Sequence, residues 1–374
     1  MRRRTQRALI QLVFFGSVLF LVIFLTRSGS SSKTFAWTKI RYRTTAATLP
    51  EARGICAGLA KSSRPALVVS RVTADDSKWL EKLGKKYHQC VYTADAPADL
   101  KSTNLQVPAN RGHEAMAYLT FLIDNYDHIP AAGAVFVHGS RWAWHNDAPD
   151  YDNAALLAQL NITAALEISG YHNLRCDWSI STCPASTKAQ GSIEMTMQAV
   201  LVPYDERAVS DAMLPRALAN IFGGNEPALA KPGRGDAVRS QCCAQFVVAR
   251  ESIWQHSRDE YVALRQWLLD GTSTGQQVQR TPAAPPDDRI AGRILSYVWH
   301  ILYIKQDAAD AQNPASAGLG LERLNALACP SAQECYCRLY GRCNLDGCQA
   351  GKCSGQYRLP KDLKLPADWA TTHS

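Results

Sequence analysis

Short apolar runs alternate with amphipathic stretches through the middle of the chain. Four runs of strand length are bounded by polar or turn residues: residues 66–70 (ALVVS), 90–94 (CVYTA), 105–108 (LQVP) and 134–139 (AVFVHG). Residues 75–83 and 114–126 have helical spacing, and in the second of these Met116, Leu119, Ile123 and Tyr126 recur on one face. Strands that alternate with helices predict an α/β fold, with a mostly parallel sheet flanked by helices.

The same pattern continues toward the C-terminus. Residues 242–250 (CCAQFVVAR) predict a further strand, and residues 253–269 and 289–304 predict two helices. A proline-rich connector, residues 279–288 (QRTPAAPPDD), separates these helices. No internal repeat is visible. Because the alternation of strands and helices covers this part of the chain, we expect residues 65–328 to form the α/β domain.

The longest apolar run stands near the N-terminus. Residues 8–25 (ALIQLVFFGSVLFLVIFL), from Ala8 to Leu25, are an uncharged run of eighteen residues, long enough to span a bilayer as a helix. Four arginines precede it, so the positive-inside rule predicts a single-pass type II protein with a cytosolic tail at residues 1–7. The alternative is a cleaved signal peptide, since small residues follow the run. Residues 26–64 lack apolar periodicity and predict a stem.

The positive charge of the chain is concentrated at this end. There are 41 Lys and Arg against 33 Asp and Glu, but residues 1–50 contain nine of the basic residues and no acidic one. The remainder, with 32 basic and 33 acidic residues, is nearly neutral. Nucleic acid is therefore disfavoured as a partner, because it normally needs a basic surface on the folded domain.

Twelve cysteines favour an oxidising compartment, where disulfides persist. Six of them lie in residues 329–353, which contain no histidine and no CxxC pair, so we expect disulfides there rather than structural zinc. Cys176 and Cys183 are candidates to close a short loop, and we expect the adjacent Cys242 and Cys243 to have different partners. Asn161 begins a glycosylation sequon, NIT. Together these features predict a lumenal domain in the Golgi or endoplasmic reticulum, or at the cell surface, ending in a tail at residues 354–374.

Polar residues follow three of the predicted strands. In an open α/β sheet, ligands bind beyond the carboxyl ends of the strands, where all of these residues would meet. They are Arg71 after the first strand, Asn110, Arg111, Gly112 and Glu114 after the third, and His138 at the end of the fourth. Free helix N–H groups at residues 110–112, with the charge of Arg111, suit a phosphate. The alternative is that Asn110 only caps the helix and Arg111 is solvated.

A polar stretch, residues 135–153 (VFVHGSRWAWHNDAPDYDN), follows the fourth strand. His138, His145 and Asp147 are near enough in sequence to share a metal ion or transfer a proton. The spacing H-x6-H-x-D matches no standard metal motif. In the alternative interpretation, the tryptophans pack under the loop, Asp147 forms a turn, and Asp152 or Asn153 caps the next helix.

A second polar stretch, residues 170–178 (GYHNLRCDW), supplies His172, Arg175 and Asp177. Arg175 is a candidate to hold a carboxylate or a phosphate in its fork. It equally suits a brace to Asp177 within the loop.

Five ordered motifs resemble a family of unknown function. NRGHEAMAYLTFLIDNYDHIP, VFVHGSRWAWHND, GYHNLRC, CCAQFVVARESI and AGRILSYVWHILY, followed by a cysteine-rich tail, are similar to the largely fungal group called domain of unknown function 3431. The resemblance covers roughly residues 65–345. It implies membership of a family and no particular reaction.

The chain is also similar to glycosyltransferases of the GT-A type. The first strand with its polar exit, the turn into a helix at residues 110–114, the polar end of the fourth strand, and the anchor and stem all fit that class. The likeness implies a nucleotide-sugar donor with its diphosphate near Arg71, Arg111 and His138, a glycan or protein acceptor, and Asp147 or Glu114 as base. A divalent metal ion such as Mn²⁺ is the implied cofactor, although residues 138–140, where the usual Asp-x-Asp motif would fall, contain no carboxylate.

Two other classes of function stay open. A metal-dependent hydrolase or oxidase would use His138, His145 and His172 as ligands. A non-catalytic glycan-binding protein would stack its exposed tryptophans on sugar rings, and its acidic residues would be dispensable.

Overall fold

The computed structural model describes residues 3–26, 33–43, 53–96, 102, 104–271, 283–305 and 318–357. Within them the strands are β1 Thr34–Phe35, β2 Ala66–Arg71, β3 His88–Thr93, β4 Leu105–Gln106, β5 Ala134–His138, β6 Tyr171–Asn173, β7 Phe246–Val248, β8 Leu319–Gly320, β9 Asp346–Gln349 and β10 Lys352–Ser354. The helices are α1 Arg3–Thr26, α2 Glu114–Asp124, α3 Asn153–Gln159, α4 Ile162–Leu166, α5 Ile193–Leu201, α6 Glu206–Phe222, α7 Arg250–Ile253, α8 Arg258–Asp270, α9 Asp288–Ser296, α10 Trp299–Tyr303, α11 Leu321–Ala328 and α12 Ala332–Tyr340. The predicted tail lies outside the described residues from residue 358 onward, as does much of the proline-rich connector.

A six-stranded sheet forms the centre of the molecule, in the order β4-β3-β2-β5-β7-β6. Strands β2 to β5 are parallel, and β7 runs antiparallel to both of its neighbours, β5 and β6. The prediction of a mixed α/β fold with a mostly parallel sheet is confirmed. The pairs β1–β8 and β9–β10 are small antiparallel additions.

Apolar residues on both faces explain why the strands form one buried layer. Ala66 and Val68 of β2 point to a core shared with α2, α6, α8 and α9, whereas Leu67 and Val69 point to a second core shared with α3 and α12. Side chains alternate between the two faces of a strand, so a strand that is covered on both sides is apolar at successive positions.

Three of the predicted helices differ in the structure. Residues 253–269 are interrupted because Ser257 caps α8, in a capping box with Glu260. Residues 289–304 divide into α9 and α10, and the predicted helix at residues 75–83 is a 3₁₀-helix, Lys78–Leu83. Asp152 accepts a hydrogen bond from Ala154 N as the cap of α3, in agreement with the alternative interpretation of that stretch.

The N-terminal region departs from a simple tether. Phe35, Trp37 and Ile40, all within the predicted stem of residues 26–64, are buried, and Trp37 Nε1 donates to Ala230 O at 2.8 Å. Their aromatic and aliphatic side chains supply enough apolar surface to pack on the domain despite the missing periodicity. Helix α1 contains the apolar run of residues 8–25, and the side chains of residues 23–25 lie outside the described ones. Over the described residues, no helix reaches the length and apolarity of a membrane span.

All twelve cysteines are paired, which confirms the prediction of disulfides. The bridges are Cys56–Cys90, Cys176–Cys335, Cys183–Cys329, Cys242–Cys243, Cys337–Cys343 and Cys348–Cys353. Two expectations were wrong: Cys176 and Cys183 do not close a loop together, and Cys242 pairs with its neighbour Cys243. The cysteine-rich segment packs on the sheet, so the nearest partners of Cys176 and Cys183 come from α12 and the turn before it.

Candidate active site

The strand order reverses between β2 and β5. From β2 the chain proceeds to β3 and β4 on one side, and then crosses to β5 on the other side. The carboxyl ends of β2 and β5 lie side by side, with Ser70 paired to His138. Such a reversal is where open α/β sheets bind ligands. The chain passes close to Arg71 just after β5, because a Cβ on Gly139 would lie 2.4 Å from Arg71 Cβ.

An open cavity of about 390 Å³, called here the main cavity, lies beside that point. Its walls come from the start of α2, the loop after β5, the segment before β7, and helices α6 and α9. The charged or titratable residues that line it are His113, Glu114, Glu206, Arg207, Arg289, Arg293 and Tyr297. Gly292 lets α9 approach α2, since a Cβ there would lie 2.7 Å from His113 Cδ2. The size is that of a small-molecule site.

Glu114 is the first residue of α2 and the one predicted candidate base that lines the main cavity. Burial raises the pKa of its carboxyl group, and the negative charge of Asp288 adds to the effect, while its own backbone N–H and His113 act in the opposite direction. A carboxyl group with a raised pKa in a cavity is suited to proton transfer near neutral pH.

Three arginines line the main cavity, and two of them are paired with carboxylates. Arg289 Nη1 lies 2.7 Å from Glu206 Oε1, and Arg207 lies 3.9 Å from Asp211. Arg293 Nε is buried without a hydrogen-bond partner in the part of the chain that the structure describes. A buried N–H without a partner is uncommon in native proteins, and Arg293 also lines the main cavity, so its guanidinium group is a candidate to bind an anion.

The predicted phosphate-binding residues are held by other parts of the chain. Arg111 is 3% exposed and donates to Pro286 O at 2.9 Å and to Asp288 Oδ1 at 3.0 Å. Gly112 N also donates to Asp288. The N-cap position of α2 is His113 rather than Asn110, which is exposed. Residues 110–112 therefore fasten α2 to the start of α9, and none of them lines the main cavity.

Arg71 stands apart from this group. Its guanidinium donates to Ser77 Oγ at 3.0 Å, and it lines a separate cavity of about 320 Å³ near β3. The structure thus does not bring Arg71 and Glu114 into one crevice, because they line two separate cavities.

Residues 139–152, which follow His138 at the end of β5, are called here the polar loop. His138 Nε2 lies 3.0 Å from Asn146 Oδ1, which also accepts from Gln245 Nε2 at 2.9 Å, so the His138 nitrogen is the donor. The rings of His138 and His145 are 4.5 Å apart. Burial lowers the pKa of His138 to about 4, although the hydrogen bond with Asn146 acts in the opposite direction. The pKa of His145 is lowered to about 3, mainly by burial and further by the charges of His138 and Arg175. Both rings are neutral at physiological pH.

Asp147 is 1% exposed, and its carboxylate accepts four hydrogen bonds. The donors are the backbone N–H groups of Cys176 and Asp177 and the hydroxyl groups of Tyr336 and Tyr357. A carboxylate that is bound in this way links the polar loop to the C-terminal segment. It does not line the main cavity.

Arg175 and His172 are likewise internal. Arg175 donates to His145 O at 2.9 Å and to Asp177 Oδ1 at 3.2 Å, which is the bracing role. His172 lies on β6, where burial lowers its pKa to about 4. Neither residue lines the main cavity.

A metal site at these histidines lacks a ligand set. Among the described residues, the group of three or more histidine, cysteine or carboxylate ligands with metal-like spacing is Cys56, His88 and Cys90, in which the two cysteines are joined as a disulfide. His138 and His145 are neighbours without a third ligand in the described chain. The residues present therefore do not fit a resident divalent ion at the polar loop.

Several residues that line the main cavity were not predicted from the sequence. Arg289, Arg293 and Ser296 recur at helical spacing along α9, opposite the buried Ile290 and Ile294. That polar stripe was the available signal, but a charged stripe on a helix is most often solvated. Arg207 stands in α6, far away in sequence, and no local pattern joins it to α9.

The fold is that of an α/β protein with a cavity of small-molecule size at the carboxyl edge of its sheet. A family model described as "Protein of unknown function (DUF3431)" matches residues 67–338. The chain belongs to this family. Comparisons with curated proteins and with solved structures found no match.

Proposed function

We propose that the protein is a glycosyltransferase-like enzyme that transfers a sugar from a nucleotide-sugar to a hydroxyl group of a glycan or protein acceptor. The observation that carries the proposal is the main cavity, in which three arginines and Glu114 line one space. Departure of a nucleoside diphosphate needs its negative charge to be stabilised, and guanidinium groups match phosphate oxygens in charge and geometry.

Glu114 acts as the base in this proposal. The acceptor oxygen attacks the anomeric carbon, the bond from that carbon to the phosphate oxygen breaks, and the diphosphate leaves with the electron pair. Glu114 takes the proton of the acceptor hydroxyl group. Its raised pKa strengthens it as a base compared with a solvated carboxylate.

Arg207, Arg289 and Arg293 stabilise the leaving diphosphate. Arg293 offers a buried N–H that is unpaired within the described chain, and the other two are partly exposed around the same space. The cavity carboxylates, Glu114 and Glu206, belong to no three-ligand group among the described residues, so no step is assigned to a metal ion. Whether a divalent ion binds together with the nucleotide is tested by measuring nucleotide affinity with and without Mn²⁺.

The architecture supports the same proposal. The sheet is parallel apart from β7, and the cavity lies at its carboxyl edge next to the reversal of strand order. Together with the GT-A-like motifs of the sequence, this arrangement suits a donor that lies across strand ends.

We propose that this domain works in the lumen of the secretory pathway or at the cell surface, held by residues 8–25. The disulfides and the arginines before the apolar run support this location. Asn161 is exposed, and its Oδ1 caps α4, which leaves the amide nitrogen free for a glycan. Endoglycosidase treatment should shift the wild-type protein on a gel and leave Asn161→Gln unchanged. A wild-type protein without a glycan would remove this support.

Ligand binding is the direct test of the function. The full chain, purified in mild detergent, is titrated with UDP, GDP, and their common sugar conjugates, with and without Mn²⁺. We expect one nucleotide to bind, and Arg293→Ala to weaken it by about tenfold or more, because a buried charge contact is lost. Arg250→Ala, a change outside the main cavity, is the matched control. Equal affinity in both variants contradicts the placement of the diphosphate.

Carbohydrate binding without catalysis is the second candidate. Trp144 is 56% exposed and lines the main cavity, as expected of a residue that stacks on a sugar ring. In that case the protein would bind a glycan, Glu114→Gln would change nothing, and no nucleotide would bind.

A further inference from the structure

The pair Cys242–Cys243 lies in the wall of the main cavity, immediately before β7. The other ten cysteines form five bridges among themselves, so these two have only each other. Both residues are half-buried, with part of their surface open to the cavity. A bridge between neighbours closes no loop of the chain and thus adds little of the entropic stabilisation that long disulfide loops supply. Stabilisation of the fold by loop closure therefore does not explain this disulfide.

Unusual backbone conformations concentrate at the same place. The described non-glycine residues with positive φ are His113 (54°), Tyr151 (58°), Cys243 (83°) and Ala244 (44°). His113 and Cys243 both line the main cavity, and Ala244 follows Cys243. A non-glycine residue in such a conformation is strained, and the strain persists where the surrounding structure holds it in place.

The polar loop and β6 hold this wall in place. Asn173 Nδ2 donates to Cys242 O at 3.1 Å, and Leu174 N donates to Gln245 O at 2.9 Å. Gln245 Nε2 in turn donates to Asn146 Oδ1, the atom that accepts from His138. The buried network of the polar loop therefore ends at the segment that carries the disulfide, and fixes its position.

The wall has the chemistry of a sugar-binding surface. A disulfide between neighbours presents two polarisable sulfur atoms on a rigid ring, without a hydrogen-bond donor, and the indole of Trp144 adds an apolar face. Hydroxyl and amide side chains of Ser181, Ser240 and Gln241 line the same space. A pyranose ring has an apolar C–H face and a polar edge, which matches these two kinds of surface.

We propose that the Cys242–Cys243 disulfide and Trp144 form the subsite for the sugar ring of the donor, whose diphosphate is held by Arg207, Arg289 and Arg293. This inference rests on the proposed function and adds a ligand role for the adjacent disulfide. The disulfide is a specificity element, because it discriminates a nucleotide-sugar from the free nucleoside diphosphate.

The test compares the affinity for a nucleotide-sugar with that for its free diphosphate, by calorimetry on the full chain. The ratio of these two affinities should fall by about tenfold or more in the double variant Cys242→Ser/Cys243→Ser. Its affinity for free UDP or GDP should stay close to wild type. The control is Cys337→Ser/Cys343→Ser, which removes another short bridge away from the main cavity. It should keep the wild-type ratio.

Trp144→Ala provides a second, independent variant if the double serine variant fails to fold, because the Trp144 side chain is largely exposed. It should reduce the same ratio, and Trp144→Phe should restore most of it. An unchanged ratio in the folded variants overturns the subsite and leaves the proposed function standing. If the wild-type protein binds neither UDP, GDP nor their sugar conjugates, the proposed function fails, and the subsite fails with it.

Discussion

In the polar loop, the carboxylate of Asp147 is 1% exposed and accepts hydrogen bonds from two backbone N–H groups and two tyrosines. In the main cavity, Arg293 keeps a buried Nε with no partner in the described chain, and Glu114 has a carboxyl group whose pKa is raised by burial. Both regions are rich in charged and titratable residues. The difference teaches that residue type alone does not mark a site, since function needs groups whose hydrogen-bonding capacity is left for a ligand.

The two regions are also connected. His138, Asn146 and Gln245 form a chain of hydrogen bonds from the polar loop to the segment before β7. The loop therefore acts as a support for one wall of the main cavity. Changes at the buried residues of the loop should alter stability first, and changes at residues that line the cavity, Trp144 of the loop included, should alter ligand binding and rate first.

The largest effect is expected for the candidate base. Glu114→Gln should lower the rate of sugar transfer by roughly 10²–10⁴-fold, because the acceptor hydroxyl group loses its base. The melting temperature should change little, since the amide has nearly the same shape. Rates are measured as release of nucleoside diphosphate at saturating donor. A variant with the wild-type rate would move the chemistry away from Glu114.

A change in the polar loop should act on stability instead. Asp147→Ala should lower the free energy of unfolding by about 3 kcal/mol or more, because buried donors are left without an acceptor. Asp150→Ala, at a less buried carboxylate of the same loop, serves as the control and should cost much less. Denaturant unfolding gives both values. If Asp147→Ala is as stable as wild type but inactive, the loop contains the reaction centre after all.

A smaller effect is expected from pH. The pKa of His138 falls from 6.5 when unfolded to about 4 when folded, because burial disfavours the charged ring. The unfolded chain therefore binds more protons, so stability is full above pH 6.5 and is lost progressively as the pH falls toward 4. His138→Gln should remove about 1–3 kcal/mol of this pH dependence. Unfolding midpoints between pH 7 and 4 measure it, and equal slopes in both proteins would show that folding does not lower the pKa of His138.

Local patterns predicted much of the fold. Strand β5 and helix α2 begin at the residues that the alternation and the helical spacing indicated, Ala134 and Glu114. Strand β6 was missed because its three residues are too few for a periodic signal. The reversed direction of β7 depends on the route of the long connection before it, which no local pattern shows.

The site was harder to predict, for physical reasons. Glu114 could be singled out because it opens a helix after a strand, and its role as a base stays a prediction. Arg207, Arg289 and Arg293, which line the same cavity, come from helices that only folding brings beside it. Disulfides that join residues 159 and 146 positions apart in the chain depend on the same long-range packing. The polar loop stood out in the sequence because its charged residues are close together in the chain. The donors that bind Asp147 come from residues 176, 177, 336 and 357, which only folding brings beside it.

A structure of the protein with a bound nucleotide-sugar tests the central claim most directly. We predict that the diphosphate contacts Arg293 and its neighbouring arginines, that the acceptor side of the sugar faces Glu114, and that the sugar ring rests against Cys242–Cys243 and Trp144. A ligand bound instead at His138 and Asp147, or in the cavity beside Arg71, would contradict the account.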